Sequence, residues 1–284
     1  MNTTGKRTKH LFLIHNYNTV PEDLLSYAEN YALFDCSDQP GIRETLQKKN
    51  VCYSEIPNTG HNLTTYFRYF AEHMAELPEV LLLLKGNIFG RHITEEYFAK
   101  VFERDFFTFL YQEPSEWGKF SKYDDQKNKN PETGTYLAAE NIYCEPNNSW
   151  YVESENHPKK YFNDLDDLLK FIYVNPIIPK YLSFSPGGCY ILRSSQVRLH
   201  GPSFYLNLNK LMDYGIAPHF PSEAHMIERL LPLIWHSPLE TNPWMEDLEA
   251  FDKKLPECSE YIRWKYENRP RRFGKLRRAL GLIH

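Results

Sequence analysis

Lys85 ends the most apolar run of the chain, Val80–Leu84. An ammonium there suits the neutralising of a diphosphate, and a lysine whose stem merely snorkels from a strand end would occupy the same place. Glu228 stands beside Arg229 in an amphipathic helical pattern, where its carboxylate could take a proton from an attacking hydroxyl. The commoner role of such a dipeptide is an ion pair. In Ser185-Pro186-Gly187-Gly188 the two glycines either admit a ligand close to the backbone or make a plain turn. Asn58-Thr59-Gly60 leads into a helical pattern, so its N–H groups and the helix dipole suit a phosphate or a polar base; an ordinary loop and N-cap have the same appearance.

Paired acids occur at Asp124-Asp125 and at Asp164, Asp166 and Asp167. Carboxylates of this kind hold a divalent cation on a diphosphate, but neither set follows a strong apolar strand, which favours solvated acids. The histidines, among them His15, His61, His92, His200, His219, His225 and His236, show no H-E-x-x-H spacing, so a zinc site is not expected. Five widely spaced cysteines without a C-x-x-C pair suggest neither a disulfide framework nor a thiolate zinc site and fit a reducing compartment.

The elements that must position these residues alternate β-rich runs with helical patterns, as βαβ units and a largely parallel sheet do. Strands are expected at His10–Asn16, Tyr31–Cys36, Val51–Ile56 and Glu79–Lys85, with helices at Glu22–Tyr27, Ile42–Lys48 and Leu63–Glu76. Residues 112–180 turn polar and Tyr-rich and read as an insertion, with a β-segment at Tyr136–Tyr143 and a helix at Leu165–Tyr173 capped by Asn163. Strands at Tyr181–Phe184 and Cys189–Arg193 follow, then helices at Ser195–Tyr214 and Glu223–Trp235. Ligands of open α/β sheets sit beyond the carboxyl ends of the strands. That rule selects His15-Asn16-Tyr17-Asn18, Asp35-Cys36-Ser37-Asp38, Pro57–Asn62 and Lys85-Gly86-Asn87, all small and polar enough for a nucleotide or sugar cleft.

At 284 residues, 42% hydrophobic and 15% aromatic, the chain suits one large domain over 1–262. A basic tail follows at 263–284, where eight bases meet one acid, Glu267. Taking these from the chain's 33 bases and 37 acids leaves 25 and 36, so a body of −11 carries a basic end. An acidic body argues against a nucleic-acid binder. Trp264, Tyr266, Phe273, Leu276, Leu280, Leu282 and Ile283 among the tail's bases suit an anionic membrane surface, with a solvated end as the plain alternative. The first apolar stretch, Leu11–Ile14, is too short for a secretory signal, and no run spans a bilayer. A cytoplasmic protein, peripheral on the inner membrane face, is the expectation.

Ile56–Asn62, Tyr66-Phe67 and Leu77–Val80 running into Leu84–Asn87 resemble a glycosyltransferase-like family of unassigned function and, more distantly, the polysaccharide-assembly proteins of rhamnan synthesis. Pro186–Leu192, Phe204-Tyr205 and Ile227–Leu230 through Trp235 are similar to the same families' second region, so the resemblance covers roughly 9–92 and 181–236. It implies a glycosyltransferase A-like fold and transfer of a sugar from a nucleotide-sugar donor to a cell-envelope polysaccharide, lipopolysaccharide or other glycolipid acceptor. Asn58, Gly60 and Asn62 would serve the nucleotide and Lys85 and Asn87 the diphosphate, while Glu228 would be the base. Asn16, Gly187, Gly188 and Arg229 complete the expected donor-binding set. The family's Asp-x-Asp metal motif is replaced here by Lys85-Gly86-Asn87, which puts the use of Mg or Mn in question. A non-catalytic glycan- or partner-binding module, or a transferase of another group such as phosphoglycerol, is the alternative.

Overall fold

A run of five aliphatic residues suits a strand only where both of its faces are covered, because alternate side chains point to opposite sides. The computed structural model describes residues 9–59, 61–112, 141–153, 159–213, 221–236 and 239–267, the seven from 261 onward by backbone alone. In chain order it contains β1 (His10–Asn16), α1 (Glu22–Leu25), β2 (Tyr31–Asp35), α2 (Ile42–Lys48), β3 (Ser54–Glu55), α3 (Leu63–His73), β4 (Val80–Lys85), α4 (Glu95–Val101) and β5 (Thr108–Phe109). After these come β6 (Tyr143–Pro146), α5 (Leu165–Ile172), β7 (Tyr181–Phe184), β8 (Tyr190–Arg193), α6 (Ser194–Val197), α7 (Pro202–Met212), α8 (Ser222–His236) and α9 (Leu248–Glu267).

Six strands form one sheet in the order β3-β2-β1-β4-β8-β5. The first four are parallel, and β8 pairs antiparallel with both β4 and β5. The fold is thus mixed α/β and Rossmann-like, a mostly parallel sheet flanked by helices. Leu11, Leu13, Leu81, Leu83, Tyr190 and Leu192 face one core with α3, α5, α7 and α8. Phe12, Ile14, Val80, Leu82, Leu84 and Ile191 face the other, where Leu24, Phe98 and Val101 cover them. Each such side chain, fully buried, contributes about 1.5–3 kcal/mol.

Several boundaries differ from expectation for local reasons. The 195–214 helix is two: Pro202, which lacks an N–H, opens α7 after Gly201, and the His200 ring stacks on Phe204 at 3.8 Å in the break. The cap of α5 is Asp164, whose side chain accepts from the Asp167 N–H; Asn163 instead donates to the Asp167 carboxylate at 2.7 Å. β3 is shorter than Val51–Ile56 because it is an exposed edge paired only with β2. Of the Tyr136–Tyr143 segment, residues 136–140 lie outside the described residues, and Tyr143 opens β6, which pairs antiparallel with β7 in a second sheet. The stretch expected as an insertion is built into the main core, since Tyr151, Phe162, Leu168 and Ile172 share a cluster with Leu13 and Leu81. α4, capped by the Thr94 hydroxyl, and α9, which runs past position 263 into the expected tail, have no counterpart among the expected elements. Residues 268–284 lie outside the described residues. Among the described residues no helix is long and apolar enough to cross a membrane.

Candidate functional site

β1 lies between β2 and β4, so the chain leaves β1 toward one side of the sheet and continues from β4 toward the other. The crevice outside the carboxyl ends of two such strands is the place an open α/β sheet offers a ligand. Asn16 ends β1, and Gly86, which follows β4, donates its N–H to the His15 carbonyl at 2.9 Å. The Asn16 amide donates to the Asp35 carboxylate at 2.8 Å and to the Thr19 carbonyl at 2.9 Å, and its oxygen accepts from the Thr19 hydroxyl at 2.5 Å. Fully buried and with both N–H groups used, Asn16 is a strut of the crevice, not the donor-binding group expected of it. Gly86 is required beneath it, because a Cβ there would lie 2.1 Å from Asn16 Oδ1 and 2.7 Å from Thr19 Oγ1. Gly86→Ala is expected to lower stability by about 1–3 kcal/mol, read as a lower thermal midpoint.

The β2 tip is fixed by Asp35. Its carboxylate accepts from Ser37 Oγ at 2.6 Å and Arg43 Nε at 2.8 Å as well as from Asn16. Burial alone would raise its pKa, yet the hydrogen bonds from Ser37, Arg43 and Asn16 outweigh burial and hold the carboxyl below its usual value.

The third tip, which ends at Asn62, is joined to the later part of the chain through the Ser185–Gly188 turn. Gly188 N–H donates to the Ser185 carbonyl at 2.8 Å, and Gly187 has φ +93°, the geometry of a type II turn with Pro186 at its first corner. The Asn62 amide donates to the Gly187 carbonyl at 2.9 Å and to the Tyr66 hydroxyl at 2.9 Å. Gly187 N–H in turn donates to Glu228 Oε1 at 2.8 Å. A Cβ on Gly187 would meet the His92 ring at 2.5 Å, and one on Gly188 would meet Leu63 at 2.9 Å. The glycines thus permit a turn and its packing, and their N–H groups are spent internally. Gly187 holds Glu228, and Asn62 and Gly188 brace the turn from which it does so. The Glu228 carboxylate itself keeps 19% side-chain exposure.

Lys85 is half-buried at the β4 tip, and among the described residues no carboxylate lies within ion-pair distance of its ammonium. Asn87, two residues on, is also half-buried. The charge of Lys85 lowers the pKa of three imidazoles, His15, His61 and His92. His15 is lowered to about 4 by burial and by Lys85, against an opposing pull from Asp35. His61 is lowered to about 3 by burial and then by His15, His225 and Lys85. His92 is lowered to about 3 by burial, Lys85 and Arg91. The His15 nitrogens meet Thr65 Oγ1 at 2.9 Å and Cys36 Sγ at 3.4 Å. Both ring nitrogens of His61 and Nε2 of His92 are covered yet have no hydrogen-bond partner among the described residues. A covered donor left so costs about 1–3 kcal/mol.

Since an unfolded histidine titrates near 6.5, the unfolded chain binds more protons than the folded one between pH 6.5 and about 4. Stability from neutral His15 is therefore complete above that window and lost as the pH falls through it. By pH 5.5 the loss at His15 is expected to reach about 1 kcal/mol, seen as a lower urea midpoint than at pH 7. The acid loss should shrink by that amount in His15→Gln.

Arg229 points away from this group. Its guanidinium pairs with Glu145 at 2.6 Å, donates to the His225 carbonyl at 3.1 Å and lies 3.8 Å from the Tyr151 ring centroid. At 6% exposure and held by Glu145, Arg229 has a structural role in joining α8 to β6. Its guanidinium approaches the Glu228 carboxylate no closer than 3.9 Å, so the expected dipeptide ion pair is secondary to the one with Glu145. Asn58 is half-buried in the loop before α3, and Gly60 lies outside the described residues, as do Asp124 and Asp125. Asp164 caps α5, and Asp166 accepts from Asn147. Among the described residues no three His, Cys, Asp or Glu side chains are grouped to hold a metal. A divalent cation finds no carboxylate in Lys85-Gly86-Asn87, so the residues there do not fit one.

The Asn62–Gly187–Glu228 chain of hydrogen bonds joins the third tip to Glu228, and Tyr66, which accepts from Asn62, donates to the carbonyl of Leu84 beside Lys85. His61 and His92 were visible only as scattered histidines. The position of His61 inside the Pro57–Asn62 tip segment was the signal available. Comparison of the chain with protein-family models, with curated proteins and with solved structures yields no match.

Proposed function

We propose that this protein is a glycosyltransferase of A-like fold that moves a sugar from a nucleotide donor to a cell-envelope glycan or glycolipid. The observation that carries the reading is Lys85: an ammonium without a carboxylate partner among the described residues, at the switch point of the sheet. A diphosphate is the ligand chemistry that such a cation serves. The acceptor hydroxyl attacks the anomeric carbon while Glu228 takes its proton, and the bond from that carbon to the diphosphate oxygen breaks. Lys85 neutralises the charge that the departing diphosphate acquires. The inserted antiparallel β8 beside β4 supports the finer fold assignment, and the bases and aromatics of 263–284 support docking on an anionic membrane surface.

Thermal melting with a panel of nucleotide sugars tests the reading. One donor at least should raise the midpoint of the wild-type chain, and Lys85→Met should weaken that donor about tenfold or more. A panel that leaves the midpoint unmoved overturns it. A second reading, a non-catalytic glycan- or partner-binding module, is favoured by the position of two cavities of about 520 and 580 Å³. One is lined by Lys170, Tyr173 and Asn242 and the other by Phe107, Tyr181 and Leu233, both away from Lys85.

A further inference from the structure

We propose that His61 and His92 join Lys85 in seating a dianionic phosphoryl group, and that they take up a proton when it binds. The inference rests on the reading of the strand tips as a donor site and narrows how that site holds its ligand.

Three observations converge. The first is geometric: His61 precedes Asn62, the residue bonded to the Gly187 carbonyl at 2.9 Å, and the His92 ring packs on Gly187, whose N–H donates to Glu228. The second is hydrogen bonding. Three ring nitrogens, both of His61 and Nε2 of His92, have no partner among the described residues. A neutral imidazole always carries one N–H donor, and a protonated one carries two, so the chemistry that completes these rings is an acceptor, most strongly an anionic one. The third is charge. The groups acting on His61 are His15 from β1, His225 from α8 and Lys85 from β4, and those acting on His92 are Lys85 and Arg91. All are basic, and the nearest carboxylate of the turn, Glu228, is already bonded to Gly187 N–H.

Both residues keep partial solvent exposure. A half-turn of an imidazole about its Cβ–Cγ bond exchanges its nitrogen and carbon edges without moving the backbone, which is how a covered nitrogen meets the ligand. The sign of the linkage follows from the same charges. Lys85 and Arg91 now disfavour imidazolium, whereas a bound dianion offsets them and accepts the new N–H bond, so protonation and binding reinforce each other. Affinity is therefore greatest at low pH and falls as the pH rises through the histidine pKa of the complex.

The probe is inorganic sulfate, a dianion that does not itself titrate across the range used, added to the full chain at pH 5.5 and pH 8. Binding is followed by the ring-carbon resonances of the histidines and by the thermal midpoint. Sulfate should move the His61 and His92 resonances to imidazolium positions at pH 5.5 and bind about tenfold more weakly at pH 8. His61→Gln and His92→Gln, which keep a polar side chain but cannot titrate, should each flatten that dependence. Two results overturn the proposal: sulfate affinity equal at the two pH values, or a pH dependence that survives unchanged in both variants. The result is separable from that of the nucleotide-sugar panel. If a donor binds but the sulfate dependence is flat, only the histidine seat fails; if sulfate behaves as described and no donor binds, only the glycosyltransferase reading fails.

Discussion

Arg229→Met is expected to destabilise the folded chain by about 3–5 kcal/mol, seen as a fall in both the thermal and the urea midpoint. The reason lies in what the substitution leaves behind. Glu145 is 5% exposed, and it accepts from Arg229 Nε at 2.6 Å, Trp150 Nε1 at 3.1 Å and the Tyr143 hydroxyl at 3.2 Å. Without the guanidinium it becomes a buried carboxylate held by two neutral donors, and its charge is uncompensated. The guanidinium also fills the space among Tyr151, Phe184 and Trp150, at 3.8, 4.7 and 5.8 Å from their centroids, and so ties α8 to the β6–β7 sheet. Methionine restores much of that apolar contact and leaves the charge as the dominant loss. Replacing both partners, Arg229→Met with Glu145→Leu, should recover most of the stability, because a desolvated ion pair is worth little more than a well-packed apolar pair. A double variant as unstable as the single one would mean that packing, and not the unpaired carboxylate, sets the cost. Donor affinity in the single variant should be unchanged under conditions where it remains folded, which separates the structural role found for Arg229 from the ligand contact expected of it.

The pattern of success in reading this chain follows the range of the interactions. β1 and α2 are placed as expected, and β4 within one residue of its start, because an apolar alternation or a helical period is written within a few residues. α9 escaped notice because its sequence is largely polar and interrupted by Pro256, and its burial rests on few residues such as Phe251. The 141–180 region read as an insertion because it lacks aliphatic runs; its core is made by tyrosines and phenylalanines spaced among polar residues. At the site, Lys85 and Glu228 were legible from residue type and position alone. The roles of Asn16, Asn62 and Arg229 were not, because each is decided by a partner far along the chain: Asp35 is 19 residues from Asn16, Gly187 is 125 from Asn62, and Glu145 is 84 from Arg229. Polar side chains of identical type bind a ligand or brace a turn according to which of these encounters the fold supplies. The same long-range closure left both nitrogens of His61 and Nε2 of His92 without partners among the described residues, a fact that no spacing in the sequence announces.

Glu228→Gln separates catalysis from binding most sharply. The glutamine oxygen can still accept the Gly187 N–H now held by Glu228 Oε1 at 2.8 Å, so the turn, the Asn62 bond behind it and the fold are retained. Surface exposure of the side chain, 19%, keeps the change in stability within about 0.5 kcal/mol. What is lost is the proton acceptor. If Glu228 takes the proton of the acceptor hydroxyl, glycosyl transfer should fall about 10²–10⁴-fold in kcat, whereas the donor's shift of the thermal midpoint stays that of the wild type. Lys85→Met should behave in the opposite way, with donor binding weakened first. A protein that only binds glycans has no turnover for Glu228→Gln to remove, and the variant would then match the wild type in every measurement. An active wild type whose Glu228→Gln variant keeps full kcat would move the base elsewhere and leave Glu228 as a brace for Gly187. Restoring activity by Glu228→Asp at a fraction of the wild-type rate would instead favour the carboxylate's chemistry, since the shorter side chain keeps the charge but reaches less well toward the Gly187 N–H.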